Sequence, residues 1–182
     1  MSLTATIYNF DIDLSDSDRG VYETLPLRVA RHPSESEEYL VARVLAYCLE
    51  YTEGLAFSNG LSDPDDPPLA VRDLTGAIHV WIEIGTPDAD RLHKASKAAR
   101  RAVCYTHKDI GQLLRQWAGH RIHRVDELEV YSFDRSFVGA LAARLERRMG
   151  LTVSISDRHL FVALANATFE GDVTRHIVGA QA

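Results

Sequence analysis

The chain predicts an α/β fold in one domain spanning residues 1–182, with a mixed β-sheet flanked by helices. Three observations carry that expectation. Strand-like and helix-like patterns alternate through the middle of the chain, and hairpin patterns stand at both ends. Helix starts and stops bracket the helical stretches. The totals, 182 residues with 46% hydrophobic and 25% charged, are those of a globular domain able to bury its own core.

The elements follow in order. Thr4 to Leu14 alternates polar and apolar residues, as a half-buried strand does. Ser15 to Gly20 is turn chemistry, and Val21 to Val29 reads as the returning strand of a hairpin. Ser34 and Glu37 have the spacing of a capping box, and Leu40, Val44, Leu45, Cys48 and Leu49 then recur at helical spacing up to Glu53-Gly54. Ser62-Asp63-Pro64-Asp65-Asp66-Pro67-Pro68 cannot continue an element and reads as a surface loop. Val71 to Asp73 and Ile78 to Ile84 read as strands around a turn at Thr75-Gly76. Thr86 followed by Pro87 predicts a helix start, with the helix reaching about Arg101. Ala102 to Thr106 reads as a buried strand, Asp109 to Ala118 as a helix and Leu128 to Phe133 as a strand. Asp134 is placed to cap a helix over 135–149 that Gly150 ends, and Leu151 to Ile155 pairs with His159 to Leu164 across Ser156-Asp157-Arg158.

Composition excludes several classes. No stretch approaches the about 18 consecutive apolar residues of a membrane-spanning helix. The N-terminus lacks a basic region and a long apolar core, so no signal peptide is expected. Cys48 and Cys104 stand among apolar neighbours and read as buried thiols of a reducing compartment, which makes the cytoplasm the expected location. No phosphate-binding loop, dinucleotide fingerprint or nucleophile elbow is present. His120-Arg121-Ile122-His123 has short metal-type spacing without further ligands, and Asp11, Asp13, Asp16 and Asp18 lack the glycine and glutamate of a calcium loop.

The net charge of −6 is unevenly spread. Residues 91–124 carry nine cations, Arg91, Lys94, Lys97, Arg100, Arg101, Lys108, Arg115, Arg121 and Arg124, against Asp109 alone. A basic stretch in an acidic chain is a candidate anion-binding surface, with a solvated helix face as the alternative.

Just before it, Trp81-Ile82-Glu83-Ile84-Gly85-Thr86-Pro87-Asp88 sets one carboxylate in an apolar strand. A lone charge in such a run is costly unless it is paired or binds a metal. A strand, a glycine turn and a capped helix would place Glu83 beside free helix amides suited to anions. Asp73 on the preceding strand would lie beside Glu83 if the strands pair. Two acids and the nearby Lys94 form a set able to hold Mg²⁺ or Mn²⁺ and orient water. The alternative is a buried salt bridge from Glu83 to Arg91 or Lys94. His79 lies two positions before Trp81 and is a supporting candidate on the same face.

The residues Trp81-Ile82-Glu83-Ile84-Gly85, Pro87-Asp88, Arg91 and Lys94-Ala95 resemble the central motif of the YaeQ family. Leu3-Thr4-Ala5-Thr6-Ile7-Tyr8 and Ala30-Arg31-His32-Pro33-Ser34-Glu35 resemble its N-terminal motifs, and Phe57-Ser58-Asn59-Gly60-Leu61 its loop. The resemblance implies a variant of the PD-(D/E)XK, restriction-endonuclease-like fold. By that resemblance Glu35, Asp73 and Glu83 would surround the metal and Lys94 would serve as catalytic lysine. Arg91, Lys97 and Arg101 would hold the substrate. The usual lysine stands two residues after the strand acid, where this chain has Gly85. Lys94 would have to reach back about one helical turn, about 5.4 Å. Two functions are expected: a metal-dependent nuclease acting on phosphodiesters, or a catalytically inactive nucleic-acid- or protein-binding module on the same fold.

Overall fold

The first strand, β1 (Thr6–Asp16), buries Tyr8, Phe10, Ile12, Leu14 and Asp16 on one face and turns Asn9, Asp11, Asp13 and Ser15 to the other, the two-residue period of a half-buried strand. The structure is a computed structural model that describes residues 4–58 and 65–179. Leu3 of the N-terminal motif, Asn59-Gly60-Leu61 of the loop motif and Ser62-Asp63-Pro64 of the acidic loop lie outside the described residues. The chain divides into two units, residues 1–49 with 133–173, and residues 50–132 with 174–182.

In the first unit, β1 pairs antiparallel with β2 (Val21–Arg31), as the hairpin pattern predicts. It also pairs parallel with β8 (Arg148–Ser156). β8 continues antiparallel into β9 (His159–Ala163) and β9 into β10 (Thr168–His176), giving the order β2-β1-β8-β9-β10. Asp157 and Arg158 turn the β8–β9 hairpin at φ 51° and 56°, and their amides donate to the Asp18 carboxylate at 2.7 and 2.9 Å. Helix α1 (Glu37–Glu50) begins with Ser36 accepting from the Tyr39 amide at 3.0 Å, so Ser36, not Ser34, caps it. Helix α4 (Arg135–Ala142) is about half its expected span: it ends seven residues before Met149, and β8 already begins at Arg148, so Gly150 lies in the strand and does not end the helix. Gly171 on β10 lies against Phe137, and a Cβ there would stand 2.6 Å from the ring, so only glycine allows this close approach.

In the second unit β3 (Leu55–Phe57), β4 (Leu69–Arg72) and β5 (Ile78–Ile84) run antiparallel in sequence. β5, β6 (Arg101–Thr106) and β7 (Glu129–Phe133) are parallel, in the order β3-β4-β5-β6-β7. Helix α2 (Ala89–Ala98) connects β5 to β6, and α3 (Ile110–Trp117) connects β6 to β7, as parallel neighbours require. Leu92 and Ala95 of α2 and Leu113 and Trp117 of α3 join Trp81, Cys104 and Val130 in one core, so both helices cover the same face of these strands. The architecture is therefore α/β with mixed strand pairing and four helices among the described residues. No described helix is long and apolar enough to cross a membrane. β3 and β10 carry too weak an alternation to be read in the sequence.

Candidate functional site

Glu83 is 4% exposed at the inner end of β5. Strand alternation sets Trp81 beside it, and the indole Nε1 donates to Glu83 Oε2 at 2.9 Å. Arg91, one turn into α2, donates from Nε to the same oxygen at 2.7 Å. Its Nη2 donates to the Asp66 carbonyl at 3.2 Å, and its guanidinium lies 5.7 Å from the centroid of the Trp81 ring. Burial pushes the Glu83 carboxyl above its usual range, against the opposing pull of Arg91 and Trp81. The salt-bridge alternative is the geometry that forms.

The turn that follows explains the missing lysine. Gly85 has φ 88° and donates its amide to the Tyr105 carbonyl at 2.9 Å, ending the β5–β6 pairing. A lysine there would carry backbone strain that glycine avoids. The helix start also differs from expectation. Asp88 rather than Thr86 caps α2, accepting from the Arg91 amide at 2.8 Å, and the helix stops at Ala98, short of Arg101.

Asp73 does not join Glu83. It sits at the turn end of the β4–β5 hairpin, where its amide donates to the Ala77 carbonyl. Its carboxylate accepts from the Thr75 hydroxyl and from the Thr75 and Ala77 amides, and His79 Nε2 lies 3.4 Å away. The Thr75 hydroxyl is the main reason its carboxyl is held down to about 2. Glu83 lies six positions along the chain from Ala77, roughly 20 Å of strand, too far to share one cation. His79 serves this turn and not Glu83.

The other candidates disperse as well. Lys94 pairs with Asp65 on its own side of α2 instead of reaching back to the strand acid. Glu35, in the first unit, accepts from Arg43 Nη2 at 2.8 Å, and burial raises its carboxyl despite that partner. Lys97 is exposed at the end of α2. Among the described residues, no three His, Cys, Asp or Glu side chains are grouped to hold a metal ion. The thiols are equally remote from chemistry, since burial pushes Cys48 up to about 12 and raises Cys104 further from use.

Arg101 belongs to a constellation that the sequence reading missed. It starts β6, and its guanidinium meets two carboxylates. Nη1 and Nη2 donate to Glu50 at 2.7 and 3.1 Å, and Nε and Nη2 to Glu129 at 2.5 and 2.9 Å. The Tyr105 hydroxyl donates to Glu50 at 2.6 Å and the Tyr131 hydroxyl to Glu129 at 2.9 Å, with the two rings stacked 5.0 Å apart. Burial works against the charge of Arg101, but the Glu129 and Glu50 hydrogen bonds outweigh it and push its pKa up. The signal was present: Arg101 and Tyr105 share a strand face, as do Glu129 and Tyr131, and β6 and β7 pair Tyr105 with Tyr131. An arginine with four donors so placed has no free fork for a phosphate.

The remaining cations have a pattern. α2 and α3 both run back across the strands, so their C-terminal ends gather at the starting end of the parallel strands. Lys97 stands in the last turn of α2, with Arg100 and Arg121 just beyond the helices, and all three are exposed, whereas Arg115 turns its guanidinium back to Gly111 and Asp109 in the first turn of α3. Arg124, at φ 49°, folds back on α2, and its Nη2 donates to the Ser96 and Ala99 carbonyls at 2.6 and 2.8 Å, closing the helix end. It also pairs with Glu127 at 3.6 Å. The His123 amide donates to His93 Nδ1 at 2.9 Å, which fastens the same loop to α2.

Comparison with known proteins agrees with this architecture. The family model described as YaeQ protein matches residues 1–173. The protein YaeQ of Escherichia coli K12 is 30% identical over 175 residues, covering 96% of this chain and 97% of the relative, and that of Salmonella typhi is 31% identical over the same shares. The crystal structure of a YaeQ protein from Xanthomonas axonopodis pv. citri superposes with a TM-score of 0.88 at 33% identity, covering 96% of this chain and 99% of that one. A YaeQ structure from Pseudomonas syringae gives 0.85 at 33% identity, with 94% and 95% covered. By matched length, motif order and fold, the chain belongs to the YaeQ family.

Proposed function

We propose that this chain is a nucleic-acid-binding module on a variant of the nuclease-like fold, with its strand and helix acids serving structure and not metal catalysis. One observation carries the reading. The acids expected to bind metal are engaged by groups of the protein itself, whereas Lys97, Arg100 and Arg121 stand exposed at one end of α2 and α3 with no ion pair among the described residues. Helix C-termini favour cations on their own account, but Arg124 already closes the end of α2, and three further cations exceed that preference. Phosphates of a nucleic-acid backbone are the partner that such a cluster suits. The cytoplasm is the location consistent with it.

Fluorescence anisotropy with labelled single- and double-stranded DNA and RNA, titrated with salt, tests the reading. Binding is expected to weaken steeply with salt and to occur without turnover in Mg²⁺ or Mn²⁺. The Lys97→Ala, Arg100→Ala, Arg121→Ala combination should lower the log–log salt slope on duplex DNA by about 3, at about 0.9 per phosphate contact. A slope unchanged by those substitutions ends the assignment. Cleavage in Mg²⁺ that Glu83→Gln abolishes would replace it with the nuclease reading.

A further inference from the structure

The outward face of the first unit holds a second, unrelated site. β1 runs between β2 and β8, and the register sets Arg28, Asn9 and Arg148 side by side across three strands. The next outward row is Pro26, Asp11 and Gly150. The side chains of Asn9 and Asp11 are short and those of the flanking arginines are long, so the middle strand becomes the floor of a trough and its neighbours the walls. Gly150 puts no side chain beside Asp11, and a Cβ there would still clear the Asp11 carbonyl by 3.8 Å. The resulting pocket measures about 250 Å³ and is lined by Asn9, Asp11, Pro26, Arg28 and Arg148 among others.

Neither Arg28 nor Arg148 makes an ion pair among the described residues, although Asp11 stands one row away. Three other cations of this unit are seated: Arg19 on Asp16, Arg43 on Glu35, and Arg147 on the Ile7 carbonyl at 2.9 Å. The last contact, with the Asn9 amide donating to the Arg147 carbonyl at 2.8 Å, ties the start of β1 to the chain entering β8 and holds the trough in register. Two guanidinium groups on strands two spacings apart, about 10 Å between backbones, can converge on one tetrahedral anion above Asn9. Asp11 lies about 7 Å further along the strand and offers only acceptors to whatever extends there.

We infer that this trough binds a small sugar phosphate, with Arg28, Arg148 and Asn9 donating to the phosphate and Asp11 accepting from a sugar hydroxyl. A phosphate alone would be repelled by Asp11, and a neutral sugar would leave both arginines unanswered. The volume is below the about 300 Å³ at which pockets for drug-sized ligands begin, which suits a monosaccharide phosphate.

Isothermal titration at low ionic strength tests this with glucose 6-phosphate, inorganic phosphate, glucose and adenosine 5′-monophosphate. Glucose 6-phosphate should bind more tightly than inorganic phosphate, and glucose not at all. Arg28→Ala and Arg148→Ala should each weaken glucose 6-phosphate about tenfold, the effect of one charge-assisted hydrogen-bonding group. Asp11→Asn should weaken glucose 6-phosphate but leave inorganic phosphate as strong or stronger, a reversal that a loss of folding cannot produce. The three side chains are exposed or at the surface, and the circular dichroism spectra of the variants check that they fold. No saturable binding of glucose 6-phosphate, binding indifferent to both arginines, or tighter binding of adenosine 5′-monophosphate would each overturn the inference.

Discussion

The two ends of the β4–β5 hairpin carry one carboxylate each, and they behave in opposite ways. At the inner end, Glu83 is enclosed, and burial raises its carboxyl although Arg91 and the Trp81 indole both donate to it. At the turn end, Asp73 stands in solvent, and the Thr75 hydroxyl with two backbone amides holds its carboxyl at about 2. The comparison teaches that an acid's availability to a metal depends on what already occupies its lone pairs. Both are taken, one by a half-buried arginine and one by its own turn, at sites too far apart to cooperate.

The largest effect expected is at the buried end. Glu83→Ala leaves Arg91 Nε and Trp81 Nε1 without the carboxylate oxygen they share and should cost about 3–5 kcal/mol in urea unfolding, the usual cost of breaking a buried pair. Arg91→Ala should cost a comparable amount, and the double variant less than the sum, because the two share one interaction. If Glu83→Ala unfolds at the wild-type midpoint, Glu83 is not a structural acid and the contrast with Asp73 collapses.

Next comes the Arg101 network. Arg101→Ala strands two carboxylates against each other beneath Tyr105 and Tyr131. The guanidinium is 36% exposed, so solvent screening reduces the expected loss to about 2 kcal/mol, again read from urea unfolding. Loss of no stability would mean that water already screens both acids.

The pH dependence sharpens the comparison most directly. A raised native carboxyl makes the folded state bind the proton first, so Glu83's contribution to stability should fall as pH rises from 4.5 through its native value and then level off. Asp73 has the opposite sign: its contribution is complete above 3.8 and is lost as pH falls through about 2. Stability profiles of the wild type against Glu83→Gln and Asp73→Asn should therefore slope in opposite directions over different windows. Parallel slopes would show that the two ends share one environment.

The smallest effect on stability belongs to Lys97, Arg100 and Arg121. Replacing any one with alanine should move unfolding by less than about 0.5 kcal/mol, since each is exposed and outside the ion pairs. A larger loss at any of them would make the cluster a structural feature and weaken its role as a binding surface.

Much of this was legible residue by residue. The β1–β2 hairpin, the helix through Leu40 to Leu49, the strand at Ile78–Ile84 and the β8–β9 hairpin follow from periodicity and turn chemistry. So does the choice open to Glu83, because a strand acid followed one helical turn later by a cation admits few solutions. Three things were less legible. β3 and β10 have too few buried positions to set up a pattern. The cap of α2 fell on Asp88 because Thr86 and Pro87 are spent in the loop after Gly85, where the Pro87 carbonyl accepts from Trp117 Nε1 at 2.8 Å. The pairing of Arg101 with Glu50 and Glu129 spans up to 51 residues, a distance across which local spacing carries no information.

By itself the sequence determined the strand and helix types, the family, the buried setting of Glu83 and the bias of cations toward residues 91–124. Those depend on local periodicity, motif order and composition, which need no partner from elsewhere in the chain. Tertiary structure alone decided which acids meet which cations, and which cations are left over. Arg91, Lys94, Arg101 and Arg124 look alike in the sequence as members of one basic run, yet each is seated by strand register or crossover direction. The same register sets Arg28 and Arg148 on either side of Asn9 from points 120 residues apart, because pairing across strands is fixed by backbone hydrogen bonds and not by nearness along the chain.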